Sequence, residues 1–224
     1  MKKLVMTVAV LACAASIVSA QTVTSANIVG YSKEAAAAGN FQLVAAQFNA
    51  GTAGGMTLGE AFGEVGDQDQ VLFWNGGGYT TYIYWAGWGW YDITGSVLSD
   101  DVLIPEGNSV WIKDVSGGGM EVIIAGEVPS ASSMTNTLST GFNAVSNPYP
   151  TELRLGDIPL VSLSDGDRAL LWNGSSYTTY IYWVGWGWYD ITGSILSDDV
   201  VVEVGQGFWL DSAAGGELVL TKQY

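Results

Sequence analysis

Histidine is absent from this 224-residue chain, and cysteine occurs once. Without histidine the chain lacks the commonest general base and transition-metal ligand, so no Ser-His-Asp or Cys-His catalytic arrangement can be built. Basic residues are scarce, with seven Lys and Arg against 22 Asp and Glu and a net charge of −15. That charge argues against nucleic acid and anionic lipid as partners, because Lys and Arg bind their phosphates. The composition favours a protein that is neither an enzyme nor a nucleic-acid binder.

Residues 1–20 are typical of a secretory signal peptide, with two lysines, an apolar run and a small-residue end at Ala20. The run is short for a membrane helix, which needs about 20 apolar residues. Cleavage after Ala20 removes the single Cys13, so we expect a mature chain without disulfides. Lipoprotein-type cleavage at Cys13 is the less favoured alternative. We expect a secreted protein, extracellular or on the cell surface, with the periplasm as the alternative location.

The chain contains an internal duplication. Residues 74–102 match residues 172–200 at a constant offset of 98, and only four of the 29 positions differ. Weaker correspondences on both sides extend the match. They place repeat one at residues 27–128, a polar hinge at residues 129–133 and repeat two at residues 134–224. Recent copying of the segment and a shared demand on its residues both explain the identity.

Each repeat alternates short β-branched or aromatic runs with Gly, Asn and Asp turns, which predicts antiparallel strands. In repeat one the predicted strands are residues 42–48, 70–74, 79–85, 88–93, 109–113 and 120–125. Only residues 33–38 and 58–62 favour helix. We expect an all-β protein of tandem antiparallel repeats, built as two small barrel or sandwich units or as one pseudo-symmetric β-domain.

Several short motifs occur in a recognisable order along the chain. They are Asn27-Ile28-Val29-Gly30-Tyr31, Gly141-Phe142-Asn143-Ala144-Val145-Ser146-Asn147-Pro148-Tyr149, Asp165-Gly166-Asp167, Leu171-Trp172-Asn173-Gly174 and Val204-Gly205-Gln206-Gly207-Phe208-Trp209. Together they resemble a family of secreted two-repeat β-proteins of verrucomicrobial and related bacteria. The resemblance implies export and fold, and it carries no catalytic residue and no ligand.

Acidic residues offer the remaining routes to catalysis or metal binding. Hydrolysis of a sugar needs two opposed carboxyl groups, and the candidate pairs are Asp100-Asp101, Asp198-Asp199, Asp67 with Asp69, and Asp165 with Asp167. The adjacent pairs point to opposite faces of a strand, and Asp-x-Asp in a Gly-rich turn is more typical of a solvated turn than of a catalytic pair. Weak calcium binding is a second hypothesis for Asp-x-Asp turns, and its candidate ligands are Asp67, Asp69, Asp165 and Asp167. Ordinary turn carboxylates are the simpler interpretation. No glycine loop with the features of a nucleotide site is present.

The most informative feature is an aromatic block, residues 79–91, repeated as residues 177–189. Exposed Trp and Tyr rings suit pyranose rings or another protein surface, whereas buried rings would stabilise the sheets. For Trp74, Trp111, Trp172 and Trp209, which have aliphatic neighbours, we expect the core. For Trp88, Trp90, Trp186 and Trp188, which lie among glycines, core and exposed surface are both open. The predicted contact residues are Tyr82, Tyr84, Trp88, Trp90, Tyr180, Tyr182, Trp186 and Trp188.

Two functions follow from the aromatic block. The first is a non-catalytic cell-surface or matrix protein whose duplicated hairpins mediate self-association or adhesion. The alternative is a carbohydrate-binding module that uses the same hairpins as stacking platforms for a surface polysaccharide. Membrane insertion is not expected, because apolar runs such as residues 71–74 are continuous instead of alternating as in outer-membrane strands.

Overall fold

The computed structural model describes residues 28–50, 54–159 and 163–223. These residues confirm the predicted all-β class with antiparallel sheets. The predicted signal peptide, residues 1–20, lies outside the described residues.

The two repeats carry matching series of elements. In repeat one these are β1 (Val29–Ala36), β2 (Phe41–Ala45), β3 (Gly55–Thr57), α1 (Leu58–Phe62), β4 (Gln70–Trp74), β5 (Tyr79–Trp85), β6 (Gly89–Asp92), β7 (Leu103–Pro105), β8 (Ser109–Lys113) and β9 (Met120–Glu127). In repeat two they are β10 (Ser133–Leu138), β11 (Gly141–Ser146), β12 (Leu153–Arg154), a 3-10 turn (Leu155–Asp157), β13 (Arg168–Trp172), β14 (Tyr177–Trp183), β15 (Gly187–Asp190), β16 (Val201–Val202), β17 (Gly207–Ser212) and β18 (Gly216–Thr221).

The sheets repeat the same topology. Repeat one has a five-stranded antiparallel sheet in the order β2-β8-β4-β5-β6, with two-stranded sheets β1-β9 and β3-β7. Repeat two has β11-β17-β13-β14-β15, with β10-β18 and β12-β16. None of these sheets closes on itself within the described residues. The structural correspondence therefore extends well beyond the 29-residue block of sequence identity.

One predicted helix forms and the other does not. Thr57 caps α1 through a reciprocal capping box with Glu60, which satisfies free N–H groups at the start of the helix. The prediction of helix at residues 33–38 is wrong, because most of this segment belongs to β1, which pairs with β9. Pairing buries Ala36 and satisfies the backbone, and it outweighs the weak helical preference of the alanines.

Each repeat has its own apolar core, and a third cluster joins the repeats. At this junction the Trp74 indole N–H donates to the Phe142 carbonyl at 2.7 Å, and the Trp172 indole N–H donates to the Phe41 carbonyl at 2.9 Å. Because these bonds join equivalent residues in opposite directions, the junction has pseudo-two-fold symmetry. Trp111 and Trp209 are buried there. The four tryptophans expected in the core thus pack between the repeats.

The connection between the repeats is anchored to repeat two. The Tyr149 hydroxyl donates to the Ala131 carbonyl at 2.9 Å, and the Lys222 backbone N–H donates to the Ser132 carbonyl at the same distance. Strand β10 begins at Ser133, the last residue of the predicted hinge.

Candidate binding clefts

Each repeat carries an open cleft at the end of its β5–β6 or β14–β15 hairpin. The repeat-one cleft, of about 520 Å³, is lined by Trp85, Trp88, Tyr91, Thr94 and Gly95. The repeat-two cleft, of about 470 Å³, is lined by Asp165, Trp183, Val184, Trp186, Tyr189 and Gly193. At the offset of 98 the two clefts share their two tryptophans, their tyrosine and their glycine. We call them the aromatic clefts.

A tight reversal places the tryptophans at the hairpin end. The Trp88 backbone N–H donates to the Trp85 carbonyl at 2.8 Å, and Gly87 between them has a φ of 78°. In repeat two the Trp186 N–H donates to the Trp183 carbonyl at 2.9 Å. The turn leaves Trp88 75 % exposed and Trp186 74 % exposed. Both rings therefore project from the protein and do not contribute to its core.

Glycine is required at the position that follows the exposed tryptophan. Gly89 has a φ of 98°, and a Cβ there would lie 2.7 Å from Oδ2 of Asp100. Gly187 faces Asp198 in the same way. The two carboxylates accept the backbone N–H groups of Trp90 and Trp188 at 2.8 and 2.7 Å. The Trp-Gly-Trp sequence thus turns one ring outward and the next inward.

The prediction that Trp90, Trp188, Tyr84 and Tyr182 contact a partner is corrected by their burial. Trp90 is 0 % exposed and Trp188 is 1 % exposed. Tyr84 pairs with Trp90 across the strands, so both rings share the inward face, where their centroids lie 5.4 Å apart. Tyr182 and Trp188 repeat this arrangement at 5.3 Å. These four side chains form the floor beneath the hairpins and are not available to a ligand.

Tyr82 and Tyr180 occupy an intermediate position. Both are half-buried and pack against the core of their own repeat. Tyr82 makes an edge contact with Phe73 at 5.4 Å, and Tyr180 lines a separate groove beside Ile195 and Leu196. Neither tyrosine lines an aromatic cleft. Of the predicted contact residues, only Trp88 and Trp186 do so.

An aspartate orders the loop that forms one wall of each cleft. Oδ1 of Asp92 accepts the backbone N–H groups of Ser96 and Val97 at 2.8 Å, while Oδ2 accepts the Thr94 hydroxyl at 2.6 Å. The Thr94 hydroxyl and these N–H groups lower the pKa of Asp92 below its usual range. Asp190 and Thr192 reproduce the arrangement, and the pKa of Asp190 is lowered in the same way. Hydrogen bonds within the protein therefore fix the loop that forms each cleft wall.

The four aspartates considered as calcium ligands have structural partners. Asp69 is fully buried, and its carboxylate accepts the backbone N–H groups of Gly66, Val115 and Ser116 at 2.9–3.0 Å. Asp167 does the same with Ser164 and Ala213. Asp67 and Asp165 accept the N–H groups of Ala86 and Val184 at the cleft turns.

In the described residues no group of three or more acidic, His or Cys side chains could hold a metal ion. The turn-carboxylate interpretation accounts for these aspartates, and the structure gives the calcium hypothesis no support.

Sequence reasoning did not single out three pairs of cleft residues. They are Trp85 and Trp183, Tyr91 and Tyr189, and Gly95 and Gly193. Their identity at the offset of 98 was the available signal, but identity alone does not separate a cleft wall from a core.

No protein-family model, curated protein or solved structure matches the chain. The family resemblance noted from the sequence therefore stays a prediction. Across the described ranges, no helix is both long and apolar enough to cross a membrane.

Proposed function

We propose that this protein is a non-catalytic adhesion protein that binds pyranose-containing polysaccharide through its two aromatic clefts. The observation that carries the proposal is the pair of exposed indoles, Trp88 and Trp186, each standing beside a second Trp and a Tyr in an open cleft. Flat C–H faces of sugar rings stack on such side chains. Clefts of about 300–1,000 Å³ are the usual size for small ligands.

The charge of the protein narrows the ligand class. The net charge is −15, and no Lys or Arg is among the described residues that line the two clefts. Asp165 lines the repeat-two cleft, which disfavours sulfated or uronic-acid sugars. Gluco-configured rings have equatorial substituents that leave both C–H faces flat. Neutral chains of glucose or N-acetylglucosamine are therefore the proposed ligands.

The proposed lack of catalysis is supported by the hydrogen bonds that the acidic side chains already make. Histidine is absent, and the first aspartates of the two adjacent pairs, Asp100 and Asp198, accept backbone N–H groups beneath the clefts. Neither lines a cleft. Asp165 does line the repeat-two cleft, but it accepts the Val184 N–H, and no second carboxyl group is among the described residues that line this cleft. This arrangement supports the proposal of ligand binding without a reaction.

Self-association is the second candidate. Each cleft wall loop also exposes aliphatic side chains: Ile93, Val97 and Leu98 in repeat one and Ile191, Ile195 and Leu196 in repeat two are 57–65 % exposed. Such side chains suit a contact between chains. Burial of Trp90 and Trp188 reduces the exposed aromatic surface of each hairpin, however, and a stable interface needs about 800 Å² from each partner. The polysaccharide is favoured for this reason.

Electrophoresis through gels containing hydroxyethylcellulose or glycol chitin tests the proposal. The mature chain should be retarded by at least one of these polymers, and the double variant Trp88→Ala/Trp186→Ala should migrate as in a glycan-free gel. Tyr31→Ala is a matched control, because Tyr31 is also 75 % exposed but lies on β1. Unaltered migration of the wild-type chain in both gels would contradict the proposal, as would equal retardation of the double variant.

Light scattering over a concentration series without glycan tests the second candidate. A monomer at all concentrations excludes self-association. An increase in particle mass with concentration that is lost in Ile93→Ser/Ile191→Ser but kept in Trp88→Ala/Trp186→Ala would favour self-association through the loops.

A further inference from the structure

Only one of the four differences between the 29-residue blocks lies at a cleft. Gly77/Ser175 and Gly78/Ser176 lie in the turn at the opposite end of β5 or β14. Ile195, which replaces Val97, lines the neighbouring groove in repeat two and not the cleft. The fourth difference is Ala86/Val184, and Val184 forms part of the repeat-two cleft.

The backbone at this position is the same in both repeats. The Ala86 N–H donates to Asp67 at 3.0 Å, and the Val184 N–H donates to Asp165 at 2.6 Å. The following residues, Gly87 and Gly185, share a φ of 78°. At position 86/184 itself the clefts therefore differ in side-chain bulk, and beside it Asp165 lines the repeat-two cleft whereas Asp67 does not line the repeat-one cleft. Val184 is 55 % exposed and lines the repeat-two cleft, so its two methyl groups stand at the rim, whereas Ala86 does not line the repeat-one cleft.

We propose that position 86/184 sets ligand selectivity, so that the two clefts of one chain prefer different sugars. The repeat-one cleft accepts rings with an N-acetyl group at C2, for which Ala86 leaves room. Val184 crowds that substituent, so the repeat-two cleft prefers unsubstituted glucose rings. The proposal rests on the proposed function and names the ligand class of each site.

Calorimetry on single-cleft variants tests this assignment with cellohexaose and chitohexaose, which share a β-1,4 backbone and differ at C2. Trp186→Ala keeps only the repeat-one cleft intact, and Trp88→Ala keeps only the repeat-two cleft intact. The ratio of the two dissociation constants should differ between these variants by about 3- to 10-fold, below the range for a closed pocket because the rim is open.

Exchange of the rim residues tests directly whether position 86/184 sets the selectivity. Ala86→Val added to Trp186→Ala should shift the ratio of dissociation constants toward tighter binding of cellohexaose, and Val184→Ala added to Trp88→Ala should shift it toward chitohexaose. Ile195→Val in the Trp88→Ala background removes a methyl group from the neighbouring groove and leaves the cleft unchanged, so this ratio should not change. Equal ratios in both clefts, or ratios unmoved by the exchange, would overturn the selectivity while leaving the proposed function intact. No binding of either sugar by the wild-type chain would overturn both.

Discussion

The two repeats share one topology but have kept their residues unevenly. Buried positions have changed: Val110 corresponds to Phe208, Ile112 to Leu210 and Ile104 to Val202, and all six are core residues. Inside the 29-residue block the exposed Trp88 and Trp186 have not changed, whereas the cleft position Ala86/Val184 has. The buried Trp90 and Trp188 of the same block are also identical. Packing does not require the identity of an exposed ring, so the identity of Trp88 and Trp186 is explained by a shared demand on the clefts or by recent copying of the block.

The largest expected effect is a difference in the free energy of unfolding between alanine variants of two tryptophans that lie two positions apart. Trp90→Ala empties a fully buried site and should lower the free energy of unfolding by about 3–5 kcal/mol. Trp88→Ala should change it by no more than about 0.5 kcal/mol, because that ring is exposed. Urea unfolding of both variants, and of the corresponding Trp188→Ala and Trp186→Ala, measures the contrast. Similar losses at both positions would place Trp88 in the core.

A smaller loss of stability is expected when the buried aspartates are replaced by asparagine. Asp69→Asn replaces one acceptor oxygen by an NH2 group that faces backbone N–H donors, so stability should fall by about 2–3 kcal/mol. Asp167→Asn should behave alike, because Asp167 accepts backbone N–H groups at the equivalent place. Thermal unfolding with and without millimolar calcium gives the check. A midpoint raised by calcium in the wild type and not in these variants would restore the metal hypothesis.

The junction differs between the repeats at one titratable position. Glu34 on β1 lies against Gly205 of repeat two, whereas the amide of Asn136 on β10 lies against Gly107 of repeat one. Burial raises the pKa of Glu34 from 4.5 to about 7. Its folded-state pKa is the higher one, so its contribution is fully present below about pH 4.5 and is lost as the pH rises through about 7.

Glu34→Gln should therefore become more stable relative to wild type between pH 4.5 and about 7. Urea midpoints of the two proteins across this range supply the measurement. Asn136→Gln, which introduces no titratable group, is the control and should show a constant difference from wild type. A constant difference for Glu34→Gln as well would show that ionisation of Glu34 is not coupled to folding.

The smallest expected effect tests the symmetry of the junction. Trp74→Phe and Trp172→Phe each keep an aromatic ring but remove one indole hydrogen bond to a carbonyl, so each should cost about 1 kcal/mol. Equal costs in chemical denaturation are expected from the pseudo-two-fold arrangement. A cost confined to one variant would mean that only one of the reciprocal bonds contributes.

Local signals predicted the fold well where strands alternate with turns. The bounds of β4, β5 and β8 follow directly from runs of β-branched and aromatic residues ended by Asn, Gly or Asp. Residues 33–38 were mistaken for helix, because pairing of β1 with β9 depends on residues about 90 positions away. Local preference does not report such distant pairing.

The clefts were predictable only in part. Alternation indicated opposite faces along β5, but it did not show which face is buried. The outward turn of Trp88 and the inward turn of Trp90 depend on the contact of Gly89 with Asp100, eleven residues away. The junction could not be predicted for a similar reason. Flanking aliphatic residues indicated that the four tryptophans are buried, but they did not indicate the surface against which these rings pack.

Titration calorimetry with cellohexaose and chitohexaose shows whether the two aromatic clefts bind sugar. At least one of these sugars should bind two sites on the wild-type chain, one site on Trp88→Ala or Trp186→Ala, and none on the double variant, with all variants folded. Absence of heat from both sugars, or two sites retained in the folded double variant, would contradict sugar binding in the clefts.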